Sequence, residues 1–207
     1  MELFEEPVKT TPDISSIFEL SVDAYYSALY AQMSCKPIKK EIAAFVEKVS
    51  RTGNRDEAKR AATDRGDSDV LAILKESAKV THEIHRLTGL LRFSPDSDGV
   101  YTARCAPDNF ILPALADHFT LRFGETPWAI IDEKRGLCLR KSSGSEAVLL
   151  SYSSDLPEAA AEKTRTDPWE DLWRLYHKSI NNESRKNLQL QRQFMPERYH
   201  KYLTELN

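Results

Sequence analysis

The spacing of the apolar residues changes twice along this chain, and that double change limits what it can fold into. Ile14, Ile17, Phe18, Val22, Tyr25, Leu29 and Met33 recur at helical intervals behind Thr11-Pro12-Asp13, and Ile38, Ile42, Phe45, Val46 and Val49 repeat the pattern after Pro37. Two helices forming a hairpin are expected there. The polar stretch from Thr52 to Asp69 has room for a short third helix but almost no apolar stripe. A longer helix is expected from about Asp67 to Leu87, ended by Gly89 as a left-handed cap. The period then shortens. Leu90 to Phe93, Val100 to Cys105, Trp128 to Ile131, Leu137 to Arg140 and Ala147 to Tyr152 are short apolar runs divided by turn-forming loops, with one helix at about Asp108 to Arg122 among them. Leu156 to Thr166 reads as a helix or connecting arm. Helical spacing returns at Trp169, Leu172, Trp173, Tyr176 and Ile180, and Pro196 opens a last helix through Leu206. The expected fold is α+β: an antiparallel sheet of about five strands packed by N- and C-terminal helices, with a helical subdomain over 1–66 and an α+β domain over 67–207.

At 207 residues, with 41% hydrophobic and 29% charged, the chain can bury its own core. Met1 to Leu20 holds five acids and one lysine and no uninterrupted apolar run, so neither a signal peptide nor a membrane span is expected. Cys35, Cys105 and Cys138 are widely spaced, which fits reduced thiols and a cytoplasmic location. There is no CxxC pair, phosphate-binding loop, dinucleotide fingerprint, serine-nucleophile elbow or zinc-deaminase motif, so ATP hydrolysis, Rossmann redox chemistry and serine hydrolysis are disfavoured. No cofactor is expected.

Two blocks alternate ionisable and aromatic side chains: Glu83 to Phe93 and His118 to Phe123. A buried guanidinium must find acceptors, so a core has no need of cations between phenylalanines, and the repetition suggests a site. Glu83 and Arg86 can pair across one helical turn, and Glu83 with His85 is the one acid/base pair the chain offers if it is catalytic. The competing reading is a buried hydrogen-bonded network of Glu83, His85 and Arg86 that fixes the helix against the sheet. His82 and His85 have spacing for a metal but too few companions, and no metal site is expected. His118 and Arg122 share a helix face, and Arg92 could converge with Arg122 on a phosphate, with Arg135 as a third positive charge. Asp132 reads as a turn residue.

The net charge of −3 hides a local excess. From Arg174 to Lys201 there are seven Lys or Arg, Arg198 among them, against Glu183 and Glu197. Arg185, Lys186, Asn187, Gln191 and Arg192 crowd cationic and amide donors together, a combination suited to phosphates, sugars and base edges. Tyr199 and Tyr202 could stack on bases, or be core. A plain basic patch on a solvated helix is the alternative.

The ordered set Glu83-x-His85-Arg86-x-x-Gly89-x-x-Arg92-Phe93, Tyr101-x-Ala103, His118-Phe119-x-x-Arg122-Phe123, Trp128 to Arg135, Leu172-Trp173-x-x-Tyr176, Arg185 to Tyr199 and Tyr202 to Glu205 resembles a bacterial family described as probable DNA metabolism proteins. The resemblance covers roughly residues 76–207. The first 70 residues match poorly: the Tyr-Asp-Gly-Ser-Phe-like strand with which members usually begin is absent, and His200 stands where members usually carry tryptophan. Members also occur fused to a uracil-DNA glycosylase-like domain, and their genes commonly lie beside one for a radical-SAM protein. The resemblance therefore implies a DNA-directed protein of repair or modification, binding DNA and working with a radical-SAM or uracil-DNA glycosylase-like partner. A non-catalytic DNA-binding or adaptor module, and an enzyme acting on free nucleotides, are the alternatives.

Overall fold

The computed structural model describes residues 13–96, 98–151 and 168–206. The chain divides into two compact units, 1–82 and 83–207, with the boundary inside one helix.

The first unit is helical. Asp13 caps a 3-10 turn, Ile14–Ile17, and Ser21 starts a separate helix α1, Val22–Gln32, by accepting from the Ala24 N–H at 3.2 Å. The single long helix expected from Ile14 to Met33 is thus broken, because the extended Ser21 begins a fresh cap. Helices α2, Lys39–Ser50, and α3, Arg55–Thr63, follow. At the start of α3, Asn54 accepts from the Glu57 N–H at 3.0 Å while the Glu57 carboxylate reaches back to the Gly53 N–H at 3.0 Å, a reciprocal cap that compensates for a weak apolar stripe. Asp67 caps helix α4, Ser68–Leu90, through the Asp69 and Val70 N–H groups at 2.9 and 3.0 Å. Ala24, Ala28, Ala31, Ala58 and Ala62 let these helices approach closely around Ile42, Phe45, Val49 and Ile73.

In the second unit, a five-stranded sheet runs in the order β1 (Ser94–Pro95), β2 (Tyr101–Cys105), β3 (Trp128–Asp132), β4 (Leu137–Lys141), β5 (Val148–Ser151). Pro95 is tolerated because β1 is an edge. The sheet is not wholly antiparallel: β2 and β3 run parallel, in register from Tyr101 opposite Trp128 to Cys105 opposite Asp132. Helix α5, Leu112–Phe123, lies between them in sequence and returns the chain to the end from which β2 started. Every residue of β3 is buried, and Gly124, with φ of 58°, turns the chain out of α5. Gly89 does not end α4, which continues to Leu90; the Arg92 guanidinium donates to the Gly89 carbonyl at 2.9 Å and caps the last turn from outside.

The aromatic half of both ionisable blocks is core. Phe93 packs on Phe119 and Phe123 at ring separations of 5.0 and 4.8 Å, and Phe119 continues to Trp128 at 6.1 Å. Helix α6, Pro168–Ile180, and a short α7, Leu188–Phe194, follow, the latter in a region where no separate helix was expected. The chain closes in 3-10 turns at Glu197–Tyr202 and Thr204–Leu206 rather than one α-helix. The expected element from Leu156 to Thr166 lies outside the described residues.

Phe119 is fully buried and Leu121, two residues on, is 86% exposed. Phe119→Ala should therefore cost about 3–5 kcal/mol in urea unfolding, and Leu121→Ala less than about 0.5 kcal/mol.

Candidate functional site

Glu83 is the only acid in the last two turns of α4, and it is 2% exposed. A carboxylate there is tolerable only with donors on every side. It accepts from the Asp108 N–H at 2.8 Å, the Asn109 N–H at 2.9 Å, the Asn109 Nδ2 at 2.7 Å and the Tyr199 hydroxyl at 2.6 Å. Burial alone would raise its pKa, but these donors outweigh that and hold it below the usual carboxylate range. Reciprocally, burial and the Glu83 bond push the Tyr199 phenol up to about 12. Arg198 completes the cluster: it pairs with Asp108 at 2.8 Å, reaches the Tyr199 oxygen at 3.1 Å and Glu83 at 3.6 Å, and lies 4.8 Å over the Tyr199 ring.

Three further carboxylates do similar work. Asp132, fully buried at the end of β3, accepts from Arg135 at 2.8 Å and from the Lys134 N–H at 3.0 Å, while Arg135 donates to the carbonyls of Pro107 at 3.1 Å and Asp108 at 2.5 Å. Glu133 takes the Tyr202 hydroxyl at 2.6 Å, Lys201 at 3.2 Å and Arg104 at 3.4 Å. Glu205 receives Arg92 in a fork, at 2.5 and 3.2 Å, and the Trp173 indole N–H at 3.1 Å. The C-terminal turns are therefore tied to α4, to the β2–α5 loop and to the β3–β4 turn by charge-assisted bonds.

This geometry sorts the expected site residues. Glu83 and His85 are not brought together: Glu83 is enclosed, whereas His85, two positions along α4, is exposed. Arg86 is half-buried, and Glu83 bonds to the loop and to Tyr199 instead of to it. Arg92 and Arg135 each hold a carboxylate of this chain, so they do not join Arg122 around one open position. His118 and Arg122 are exposed on α5, the His118 ring lying edge-on to Phe119 at 4.8 Å, and Arg122 has no partner among the described residues. Asn187 caps α7 by accepting from the Leu190 N–H at 3.0 Å. Arg192 pairs with Glu197 at 3.2 Å with both side chains well exposed, Gln191 is half-buried, and Arg185 and Lys186 are exposed. Tyr199 is buried and Tyr202 half-buried, their hydroxyls committed to Glu83 and Glu133. Asp108, Asn109 and Glu133 were not proposed as site residues from the sequence, and Glu205 entered only as the end of the Tyr202 to Glu205 motif; for the first two, the Asp-Asn dipeptide between a strand and a helix was the available signal. No group of three or more His, Cys, Asp or Glu among the described residues is placed to hold a metal ion, and none of their helices is long and apolar enough to cross a membrane.

A model of the family described as a domain of unknown function, DUF4130, matches residues 39–205, and the chain belongs to that family. The match begins at α2 and so includes most of the helical unit. No curated protein matches the chain, and no solved structure matches it.

Glu83, Glu133 and Glu205 are all held below the usual carboxylate range, so their contribution to stability is full above about pH 4.3 and is lost as pH falls toward their native values. Glu83→Gln, which turns an amide donor toward donors, should lower the urea midpoint at pH 7 and flatten the decline between about pH 5 and 3. Tyr199→Phe should lower the pH 7 midpoint less.

Proposed function

We propose that this is a DNA-directed protein of repair or modification that binds nucleic acid through its C-terminal helices. The observation that carries this reading is the contrast between clamped and available donors. Arg92, Arg135 and Arg198 are taken up by carboxylates of this chain, whereas Arg185, Gln189, Arg192 and Gln193 are all exposed on α7 and the turn before it. The Arg192–Glu197 pair is solvent-facing and worth little, so a phosphate can compete for that guanidinium. The resemblance to DNA metabolism proteins supports the same reading and adds a radical-SAM or uracil-DNA glycosylase-like partner. A non-catalytic binding or adaptor module is the second reading, favoured by Glu83: a carboxylate already accepting four hydrogen bonds and held ionised is a poor proton carrier.

DNA binding measured across a salt series tests the proposal. Affinity should fall steeply with salt, and Arg185→Ala and Arg192→Ala should each reduce the slope by about one. Absence of binding at low salt would refute it.

A further inference from the structure

Strand β5, Val148–Ser151, is an edge of the sheet, and no described strand pairs with its outer side. Val148, Leu149 and Leu150 show 52, 37 and 43% of their surfaces. Successive residues of a strand point to opposite faces, so β5 is open on both faces as well as along its edge. Sheet edges are usually blunted by charge, proline or shortness. The opposite edge, β1, is blunted in this way, being two residues long and carrying Pro95. β5 holds neither a charged residue nor a proline. A row of outward N–H and C=O groups fits one kind of occupant, another extended strand.

We infer that β5 pairs antiparallel with β5 of a second copy of this chain, joining two five-stranded sheets into one. A two-fold axis at Leu149 sets Val148 of each copy opposite Leu150 of the other, on the face where Leu150 already stands opposite buried Cys138. An apolar row then runs unbroken across the joint, from Cys138 through Leu150 to Val148 of the second copy. A cleft of about 360 Å³, lined in part by Val148 and Leu150, leaves room for the incoming side chains. Charge does not oppose this occupant. Arg140, opposite Val148 on β4, stands three strand spacings from its counterpart, about 14 Å, and Glu146 stands farther from its own. A two-fold contact uses the same edge of both copies, and the outer edges that remain carry Pro95, so assembly stops at two copies.

The test is sedimentation equilibrium of the whole chain across a range of protein concentrations, with hydrogen exchange of the β5 amides at the low and high ends. Wild type should dimerise, and the β5 amides should exchange more slowly at high concentration. Val148→Lys and Leu150→Glu should each weaken dimerisation about tenfold or more, because each change enters the contact twice, and should leave circular dichroism unchanged. An equimolar mixture of the two variants, which sets lysine opposite glutamate, should dimerise more tightly than either alone. A monomer at every concentration overturns the inference, as does a dimer that neither variant weakens, since its contact lies elsewhere. Should a variant fail to fold, the wild-type exchange decides: β5 amides indifferent to concentration, whether open or covered by another part of the same chain, overturn the inference.

Discussion

The second unit depends on one buried negative charge. The Glu83 carboxylate is almost wholly removed from solvent and is stable there because two backbone N–H groups, an amide and a phenol converge on it. Those donors come from the loop after β2 and from the C-terminal turn, segments separated by about ninety residues, so satisfying one carboxylate fixes both. Asp132, Glu133 and Glu205 extend the same logic: each stands where a cation or hydroxyl from a turn or terminus must come to meet it.

This network also decides which cations face outward. A guanidinium held in a fork by a carboxylate at 2.5 and 3.2 Å, as Arg92 is, has its best donors engaged. Arg185, by contrast, presents its charge to solvent. Glu83 and Arg92 of the block at the end of α4 are thus committed to bonds within the chain, whereas Arg185 and Arg192 of the C-terminal region face solvent.

Much of the fold was legible. The change from helical to short-period spacing located the helical unit, four of the five strands and α5, since burial imposes that periodicity directly on the sequence, but the expected strand Leu90 to Phe93 does not form: Leu90 ends α4 and the first strand is Ser94–Pro95, within the expected loop. Strand direction was not legible, because a buried strand has the same composition whether its neighbour runs with it or against it. Gly89 misled for a related reason: its helix end is capped by the side chain of Arg92, which comes back from beyond the helix. The short α7 was obscured by its run of glutamines and its Asn187 cap, which read as ligand donors as readily as helix formers.

For the candidate site, the sequence identified Glu83, Arg92, Arg135, Arg198 and the tyrosines as chemically marked residues, because charge and ring placed in an apolar setting require partners. It could not say who the partners are. Glu83 meets Tyr199 and Arg92 meets Glu205 across more than a hundred residues, and such pairings are set by how loops and turns converge in space, which no local pattern records. By itself the sequence determined most of the helix and strand segments and which side chains cannot be left alone; only the tertiary structure decided which charges are neutralised within the protein and which face solvent, because those pairings join segments far apart in the chain.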